Sequence, residues 1–238
     1  MQIDLQLLPL APDPGFLSGR SVVVIDVLRA TSVITHVLSL GALEVIPVSS
    51  VEEGFRLAKT FPQETTLLGG ERANKRIEGF DLGNSPREYT AERVNGKRLI
   101  LSTTNGTKAF HLVSGAKEIF AASFFNIKAV ARRCAEEGMD LLIFPSGDEG
   151  NFSIEDTLCG GMIVDLILQE KKTVRLTDAS HCGHALFKRY EKDLTEAFHL
   201  SHHGKELLDL GLKNDLIFCA RLNTTEIVPV FRDGALRI

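Results

Sequence analysis

The feature that most constrains this chain is the repeated alternation of short apolar runs with longer amphipathic segments. The apolar runs are rich in β-branched and aliphatic residues, which is typical of strands. They are SVVVID (21–26), LEVIPV (43–48), TTLLGG (65–70), KRLILS (97–102), KEIFAA (117–122) and DLLIFP (140–145). Apolar residues recur with helical spacing over 31–40, 51–60, 107–113, 127–137 and 154–170. Because runs such as VVVI and LLIF need burial on both faces, the pattern predicts an α/β fold with three α/β/α layers and a mainly parallel, mixed sheet.

The last third of the chain, from about residue 173, is less regular. Segments 180–200 and 202–212 have helical patterns, and EIVPVFRDGALRI (226–238) predicts a strand followed by an Asp-Gly turn. No linker rich in Pro, Gly or Ser interrupts the chain, so a single domain over residues 1–238 is expected. The apolar IVPVF run could serve as an interface between two copies, which leaves a homodimer open.

The charge balance excludes some classes of partner. The chain has 27 Lys and Arg against 31 Asp and Glu, a net charge of -4, which creates no overall field that would attract nucleic acid or an anionic membrane surface. No apolar run approaches the roughly 20 residues needed to span a bilayer, and the amino terminus lacks the basic and apolar regions of a signal peptide. We therefore expect a cytoplasmic protein that binds neither nucleic acid nor membrane.

Two stretches of the chain, 22–50 and 98–125, can be aligned with each other. Each consists of a predicted strand, a polar loop, an apolar helix, Gly-Ala-x-Glu and a second strand. In this alignment Asp26 matches Ser102, and Arg29 matches Asn105. The match is compatible with an internal repeat and equally with chance. In either case both loops would follow the carboxyl ends of parallel strands, where open α/β sheets bind ligands.

The first of these loops is DVLRATS, residues 26–32. Asp26 ends a strand, and Thr31 or Ser32 could cap the following helix. The exposed amides at the helix start, together with Arg29, would form a site for an oxyanion or a phosphate. The alternative is purely structural, with Thr31 as a helix cap and Asp26 as a charge partner of the first helical turn.

A second loop, GGERANKRIEGFDLGNSP, covers residues 69–86. It places the carboxylate of Glu71 beside the guanidinium of Arg72, and it ends in a turn where Asn84 and Ser85 could donate hydrogen bonds to a ligand. The alternative is an ordinary surface loop. Its length and its hydrophobic residues argue against that, because structureless loops of this length in compact domains are usually functional or disordered.

The third loop, STTNGT (102–107), supplies hydroxyl groups and backbone amides at a helix start, and Gly106 permits a turn that bulkier residues would resist. It lacks the glycine and lysine spacing of a nucleotide-binding P-loop. The fourth stretch, FPSGDEGNFSIEDTLCGG (144–161), offers Ser146 and Gly147 as small polar contacts.

Acidic residues crowd this fourth stretch. Glu155 and Asp156 open a helix, where acids are favoured by the helix dipole, but the dipole accounts less well for Asp148 and Glu149 in the same segment. The histidines give weaker evidence, since no acidic ligand stands at the spacing of a zinc motif. They are expected on helix surfaces or in the core.

Taken together, the four loops combine carboxylates with small neutral donors. This mixture suits a hard cation and an oxygen-rich anion, because Mg²⁺ commonly lies between one or two carboxylates and a substrate phosphate. Arg29 and Arg72 would neutralise the remaining negative charge. The residue types therefore favour a magnesium-dependent enzyme that acts on a small phosphorylated acid.

The same stretches closely resemble those of the 2-phosphosulfolactate phosphatase family of coenzyme M biosynthesis. They are DVLRATS at 26–32, GER at 70–72, GNSP at 83–86, STTNGT at 102–107 and FPSG...EGN..IED at 144–156, in the family's order. The resemblance implies a magnesium-dependent hydrolase that converts 2-phospho-3-sulfolactate into 3-sulfolactate and phosphate, on an α/β/α architecture unlike the usual phosphatase folds. Another phosphorylated 2-hydroxy acid as substrate, or reversible binding of an anionic metabolite without turnover, stays open.

We therefore expect Asp26, Glu71 and Asp156 to hold Mg²⁺, with Glu155 as the alternative ligand. The expected catalytic group is Asp26, Arg29, Arg72, Thr104 and Asn105, with the two arginines binding the carboxylate and the sulfonate. The expected substrate-binding residues are Thr31, Ser32, Asn84, Ser85, Ser102, Thr103, Gly106, Thr107, Ser146 and Gly147. Direct attack by water and a phosphoenzyme formed on Asp26 are both open.

Overall fold

The computed structural model describes residues 1–238, and a single eleven-stranded sheet runs through it. The strands are β1 (Gln2–Leu5), β2 (Ser21–Ile25), β3 (Glu44–Pro47), β4 (Thr66–Arg72), β5 (Lys75–Arg76), β6 (Arg98–Ser102), β7 (Glu118–Ala122), β8 (Leu141–Pro145), β9 (Arg175–Leu176), β10 (Val230–Arg232) and β11 (Ala235–Arg237). The helices are α1 (Pro14–Leu17), α2 (Ala30–Ser39), α3 (Val51–Ala58), α4 (Ala91–Val94), α5 (Gly106–Leu112), α6 (Ile127–Glu137), α7 (Ile154–Glu170), α8 (Asp178–Tyr190), α9 (Leu194–Leu200), α10 (His202–Asp209) and α11 (Lys213–Cys219).

The predicted strands and helices of the first two thirds are confirmed, and α7 has the predicted bounds. The two helical segments of the last third are confirmed as α8 to α10, with a break between α8 and α9. The sequence pattern missed the short strands β1, β5 and β9 and the helices α1, α4 and α11.

The sheet order is β5-β4-β6-β3-β11-β10-β7-β2-β8-β1-β9, and parallel pairs predominate. Alternate residues of the central strand β2 enter two different hydrophobic clusters, as the pleat requires. Val23 and Ile25 pack with α6 and α7, whereas Val22 and Val24 pack with α2 and α5. A mixed, mainly parallel sheet covered by helices on both faces is the three-layer α/β/α fold that the sequence predicts.

The direction of the strands reverses in the middle of the sheet. The hairpin β10–β11 pairs antiparallel with β7 on one side and with β3 on the other. In a flat sheet, the carboxyl ends of β2 and β6 would lie on opposite edges and about 24 Å apart. Instead the two ends meet, and one hydrophobic cluster contains α2, α5 and strands of both halves. The sheet therefore folds around α2 and α5.

The carboxyl-terminal segment forms the predicted strand and Asp-Gly turn. Asp233 and Gly234 have φ values of 50° and 78°, which suits a two-residue hairpin turn. Within IVPVF, β10 is paired on both sides, with β7 and β11, so it has no free edge for a strand of a second copy. The interface between two copies stays a prediction. No helix combines the length and the apolar character needed to cross a bilayer.

Candidate active site

The loops after β2, β4, β6 and β8 converge with α10 around a cavity of about 40 Å³. The lining residues are Asp26, Leu28, Glu71, Ala73, Asn74, Asn84, Thr103, Thr104, Asn105, Asp148, Glu149, His203 and Glu206. Five of these are acidic, and none is lysine or arginine. This cavity, the acidic cavity, is therefore a strongly negative site with neutral donors on its wall.

Asp26 lies at the carboxyl end of β2, and its Oδ1 accepts a hydrogen bond from the backbone N–H of Ala30 at 3.0 Å. Burial raises the pKa of the Asp26 carboxyl to about 6; the Ala30 N–H partly offsets this shift, and the nearby Glu71 carboxylate adds to it. Gly106 packs against this carboxyl, because a Cβ at that position would lie 2.4 Å from Asp26 Oδ2. The loops after β2 and β6 are thus in direct contact at the acid.

Glu71 at the end of β4 connects two loops. Its Oε1 accepts from the N–H of Thr104 at 2.8 Å, and its Oε2 accepts from the N–H of Asn74 at 3.0 Å. Asn74 also donates from its side chain to Glu206 on α10, at 3.3 Å. The carboxylate of Glu71 is therefore fixed at the cavity wall by backbone donors from both sides.

The loop STTNGT is closed by its own hydroxyl groups. Thr103 Oγ1 accepts from the N–H of Thr107 at 3.2 Å, while Thr107 Oγ1 accepts from the N–H of Thr103 at 3.2 Å. The side-chain oxygen of Asn105 accepts from the N–H of Glu149 at 3.2 Å, which joins this loop to the one after β8. The hydroxyls of Thr103 and Thr107 thus stabilise the loop, while Thr103, Thr104 and Asn105 line the cavity.

Asp156 supports the site from behind and does not line the cavity. Its Oδ1 accepts from the N–H of Val27 at 2.8 Å, and its Oδ2 accepts from the N–H of Gly147 and from the hydroxyl of Ser146 at 3.2 and 3.3 Å. Burial raises the pKa of Asp156 well above its usual value, and the carboxylates of Asp26 and Glu155 raise it further. This side chain joins the loops after β2 and β8 to the start of α7.

Glu155 is also buried outside the cavity lining, and its Oε2 has no hydrogen-bond partner. Burial raises its pKa, and the positive charge of a protonated His203 would lower it. His203 lies on α10 and lines the cavity, with Nδ1 at 3.8 Å from Asp148 Oδ1 and 3.4 Å from Glu206 Oε2. The acids of the fourth loop therefore face a histidine from the last third of the chain.

The oxygen atoms at the cavity fit a hard cation. Asp26 and Glu71 present carboxylates, and the buried side-chain oxygen of Asn84 has no partner within the protein. No three histidine, cysteine or acidic side chains converge as ligands of one metal ion. Carboxylate and amide oxygens are the kind of ligand that Mg²⁺ takes, with water and substrate phosphate completing its shell.

Comparison with known proteins identifies the family. Residues 12–234 match the family model described as 2-phosphosulpholactate phosphatase. The chain belongs to this family. It is 44% identical, over 94% of its length and 96% of the relative, to a probable 2-phosphosulfolactate phosphatase of Symbiobacterium thermophilum. A protein of the same name from Caldanaerobacter subterraneus subsp. tengcongensis is 43% identical, over 93% of this chain and 91% of the relative. The one from Clostridium acetobutylicum is 39% identical over 92% of both chains.

In this member of the phosphatase family, Arg29 is not among the residues that line the acidic cavity. Its guanidinium donates from Nη1 to Asp215 Oδ2 at 2.7 Å, and both side chains are almost fully buried. Asp215 Oδ1 accepts from the hydroxyl of Ser85 at 2.8 Å, and Arg87 lies 3.7 Å from the same atom. The structure thus does not bring Arg29 and Ser85 to the cavity but uses both to hold loops against α11.

The two hydroxyls of the first loop are also turned inward. Thr31 and Ser32 lie inside α2, and their hydroxyls donate to the carbonyl oxygens of Asp26 and Val27 at 2.8 Å. Arg29 is the residue at the helix cap, with no side-chain capping bond, so the expectation that Thr31 or Ser32 caps the helix is wrong. Early in the helix, both hydroxyls bond back to the loop instead of capping it.

Arg72 lies closer to the site than Arg29, beside Glu71. It donates to the hydroxyl of Ser102 at 2.9 Å and to the carbonyl oxygen of Glu71 at 2.6 Å. Arg72 and Ser102 are therefore bonded to each other behind the cavity wall, and neither is among the lining residues.

The sequence reasoning missed four residues that matter here: Asn74, His203, Glu206 and Asp215. Three of them come from α10 and α11, in the third of the chain that showed no recognisable motif. One signal was available. His202 and His203 are adjacent on a predicted helix, and the acids at 148, 149, 155 and 156 had no predicted basic partner. In the structure, Asp148 accepts from His202 Nδ1 at 2.8 Å, which raises the pKa of His202.

A second, larger cavity of about 400 Å³ adjoins the first. The two share Thr104, Asn105 and Glu149. The remaining lining residues of the larger cavity are Pro9, Lys108, Ala109, Leu112, Phe144, Ser146 and Gly150. Together the two cavities have room for a small organic molecule beside an ion.

Proposed function

We propose that this protein hydrolyses the phosphate monoester of a small 2-hydroxy acid, with 2-phospho-3-sulfolactate as substrate and 3-sulfolactate and phosphate as products. Relatives named probable 2-phosphosulfolactate phosphatase are about two-fifths identical to this chain over more than nine tenths of its length. The observation that carries the proposal is the acidic cavity. Carboxylates from two strand ends, Asp26 and Glu71, meet the neutral donors of the loop at 102–107 there.

We propose Mg²⁺ as the cofactor, held by Asp26 and Glu71 with the side-chain oxygen of Asn84. Asp156 then acts by positioning the Asp26 loop, since it does not line the acidic cavity and its oxygens accept from the loops after β2 and β8. Glu155 is the alternative ligand, because its Oε2 has no hydrogen-bond partner within the protein. When bound, the ion supplies positive charge for the phosphoryl oxygens and lowers the pKa of a coordinated water.

The loop after β6 would orient the phosphoryl group. Thr104 and Asn105 line both cavities, and their hydrogen bonds to Glu71 and Glu149 use only the Thr104 N–H and the Asn105 side-chain oxygen. The Thr104 hydroxyl and the Asn105 amide N–H groups can therefore donate to phosphoryl oxygens. Donors held in place before the reaction stabilise the charge that develops in the transition state.

Asp26 decides between two routes of hydrolysis. In the first route, the buried carboxylate of Asp26 accepts a proton from the attacking water. Alternatively its carboxylate attacks phosphorus, the ester P–O bond breaks, and 3-sulfolactate leaves with a proton taken from solvent. Water then cleaves the acyl phosphate on Asp26 and releases phosphate. Rapid acid quenching after mixing with phosphorus-labelled substrate distinguishes the two, because only the second route leaves label on the protein.

The test of the proposed function is phosphate release from 2-phospho-3-sulfolactate and from 2-phospholactate, with Mg²⁺ and with a chelator. We expect turnover that requires Mg²⁺ and is faster with the sulfonated ester. Tight binding of these esters without release of phosphate from any of them would instead indicate a metabolite-binding protein.

A further inference from the structure

The distribution of positive charge around the two cavities is uneven. The acidic cavity is lined by five acidic residues and by His203, and it has no lysine or arginine. The larger cavity is lined by Lys108 and by one acid, Glu149, which both cavities share. Lys108 is thus the only lysine or arginine that lines either cavity.

The two arginines closest in sequence to the site are already engaged. Arg29 forms a buried pair with Asp215, and Arg72 donates to Ser102 and to the Glu71 carbonyl oxygen. A substrate with a second acid group, bound in these cavities, would therefore lie near only one permanently charged basic side chain. That charge belongs to the exposed side chain of Lys108, the third residue of α5.

The volumes of the two cavities indicate which part of a bound substrate and ion each could hold. About 40 Å³ suffices for an ion and little more, since one water already needs 10 to 15 Å³. The larger cavity of about 400 Å³ can hold a carbon skeleton with its substituents. A substrate whose phosphoryl group lies at the shared wall of Thr104 and Asn105 would extend its remaining groups into the larger cavity.

We propose that the larger cavity is the subsite for the second acid group of the substrate and that Lys108 is its counter-charge. Lys108 would then be the residue that makes the enzyme prefer phosphate esters with an additional carboxylate or sulfonate. This inference rests on the proposed function and names the substrate class of the same site. The apolar walls at Ala109, Leu112 and Phe144 can pack against the carbon skeleton of the substrate.

The test compares two esters and three variants. For each protein, kcat/KM is measured with 2-phospho-3-sulfolactate and with a phosphate ester of an alcohol that has no acid group. We expect Lys108→Met to lower the ratio of the two values about tenfold, which corresponds to 1.4 kcal/mol. Lys108→Arg should restore most of the ratio. Lys128→Met, on the exposed surface of α6, is the matched control and should leave the ratio unchanged.

A ratio unaffected by Lys108→Met would overturn the inference, as would an equal loss with both esters. If the unmodified protein releases phosphate from no ester, the proposed function fails, and calorimetry then decides the subsite by itself. The wild type should bind 3-sulfolactate more tightly than Lys108→Met does, and Lys108→Arg should restore most of that affinity. Equal binding of 3-sulfolactate by the wild type and Lys108→Met would overturn the subsite.

Discussion

Three features of Asp26 make it the most informative single residue. It is buried, it is close to Glu71, and its Oδ2 contacts Gly106 from the other half of the sheet. Its pKa of about 6, raised by burial from the usual 3.8, means that folding makes ionisation of this carboxyl less favourable. An ionised carboxyl at this position therefore destabilises the fold unless a cation or a cationic group lies beside it.

Substitution of Asp26 by Asn should stabilise the metal-free protein at neutral pH. Asn keeps the Oδ1 acceptor for the Ala30 N–H and removes the ionisation. The wild type loses stability as pH rises from about 3.8 to about 6, and the loss then stays constant. We expect the free energy of unfolding of Asp26→Asn to exceed that of the wild type by about 2 to 3 kcal/mol above pH 7.

Urea unfolding without divalent cations at pH 4, 5, 6, 7 and 8 measures this difference. It should shrink toward pH 4, and a difference that does not change with pH would contradict the shifted pKa. Mg²⁺ should raise the melting temperature of the wild type and leave that of Asp26→Asn unchanged.

Glu71→Gln tests the second carboxylate. The amide can accept from only one of the two backbone N–H groups that Glu71 now satisfies, so its NH₂ group must face Thr104 N or Asn74 N. We expect a stability loss of about 1 to 2 kcal/mol with an intact fold. Magnesium-dependent phosphate release should disappear, and activity equal to that of the wild type would remove Glu71 from the site.

At the scale of elements, the site depends on how closely α5 approaches the loop after β2. A Cβ on Gly106 would lie 2.4 Å from Asp26 Oδ2 and 2.5 Å from the Cβ of Ala30. Neither neighbour can move far, since Ala30 begins α2 and both are buried. Any larger residue at 106 must therefore displace the start of α5 together with Thr104 and Asn105.

Gly106→Ala should reduce kcat more than tenfold and lower the free energy of unfolding by about 1 to 3 kcal/mol, the usual effect of overpacking. Gly115→Ala is the matched control, because its Cβ would meet only Leu17 Cδ1 at 3.8 Å. Phosphate release and urea unfolding of the two variants measure the effect. Equal behaviour of both would show that the close approach at Gly106 is unimportant.

At the scale of the whole molecule, periodicity predicts the elements but not their arrangement. Six strands of the first two thirds could be predicted because each is a largely apolar run, and the four loops because each follows such a run. These strands are β2, β3, β4, β6, β7 and β8. The reversal of direction at the β10–β11 hairpin depends on long-range pairing, which leaves no local pattern. The contact between Asp26 and Gly106 is another result of this long-range arrangement, so no local pattern in the sequence predicts it either.

The helices of the last third illustrate the same limit. Asp215 is a single acid on a short helix, and nothing in its neighbourhood along the chain indicates a partner at Arg29. The pair becomes evident only when α11 packs beside the loops at 26–32 and 83–86. Ion pairs between distant segments depend on the packing of the complete chain, so sequence motifs captured Arg29 and gave it the wrong neighbours.

The Arg29–Asp215 pair therefore links the last helix, α11, to the first βα loop. Its removal should lower the free energy of unfolding of the whole molecule. Asp215→Leu leaves the guanidinium buried and unpaired, which typically costs about 3 to 5 kcal/mol. The double variant Arg29→Met with Asp215→Leu removes both charges and should lose less stability than Asp215→Leu alone. Urea unfolding of Arg29→Met, of Asp215→Leu and of the double variant yields the coupling free energy between the two side chains. Additive losses would mean that the pair does not hold α11 to the site, and that Ser85 and Arg87 provide the link instead.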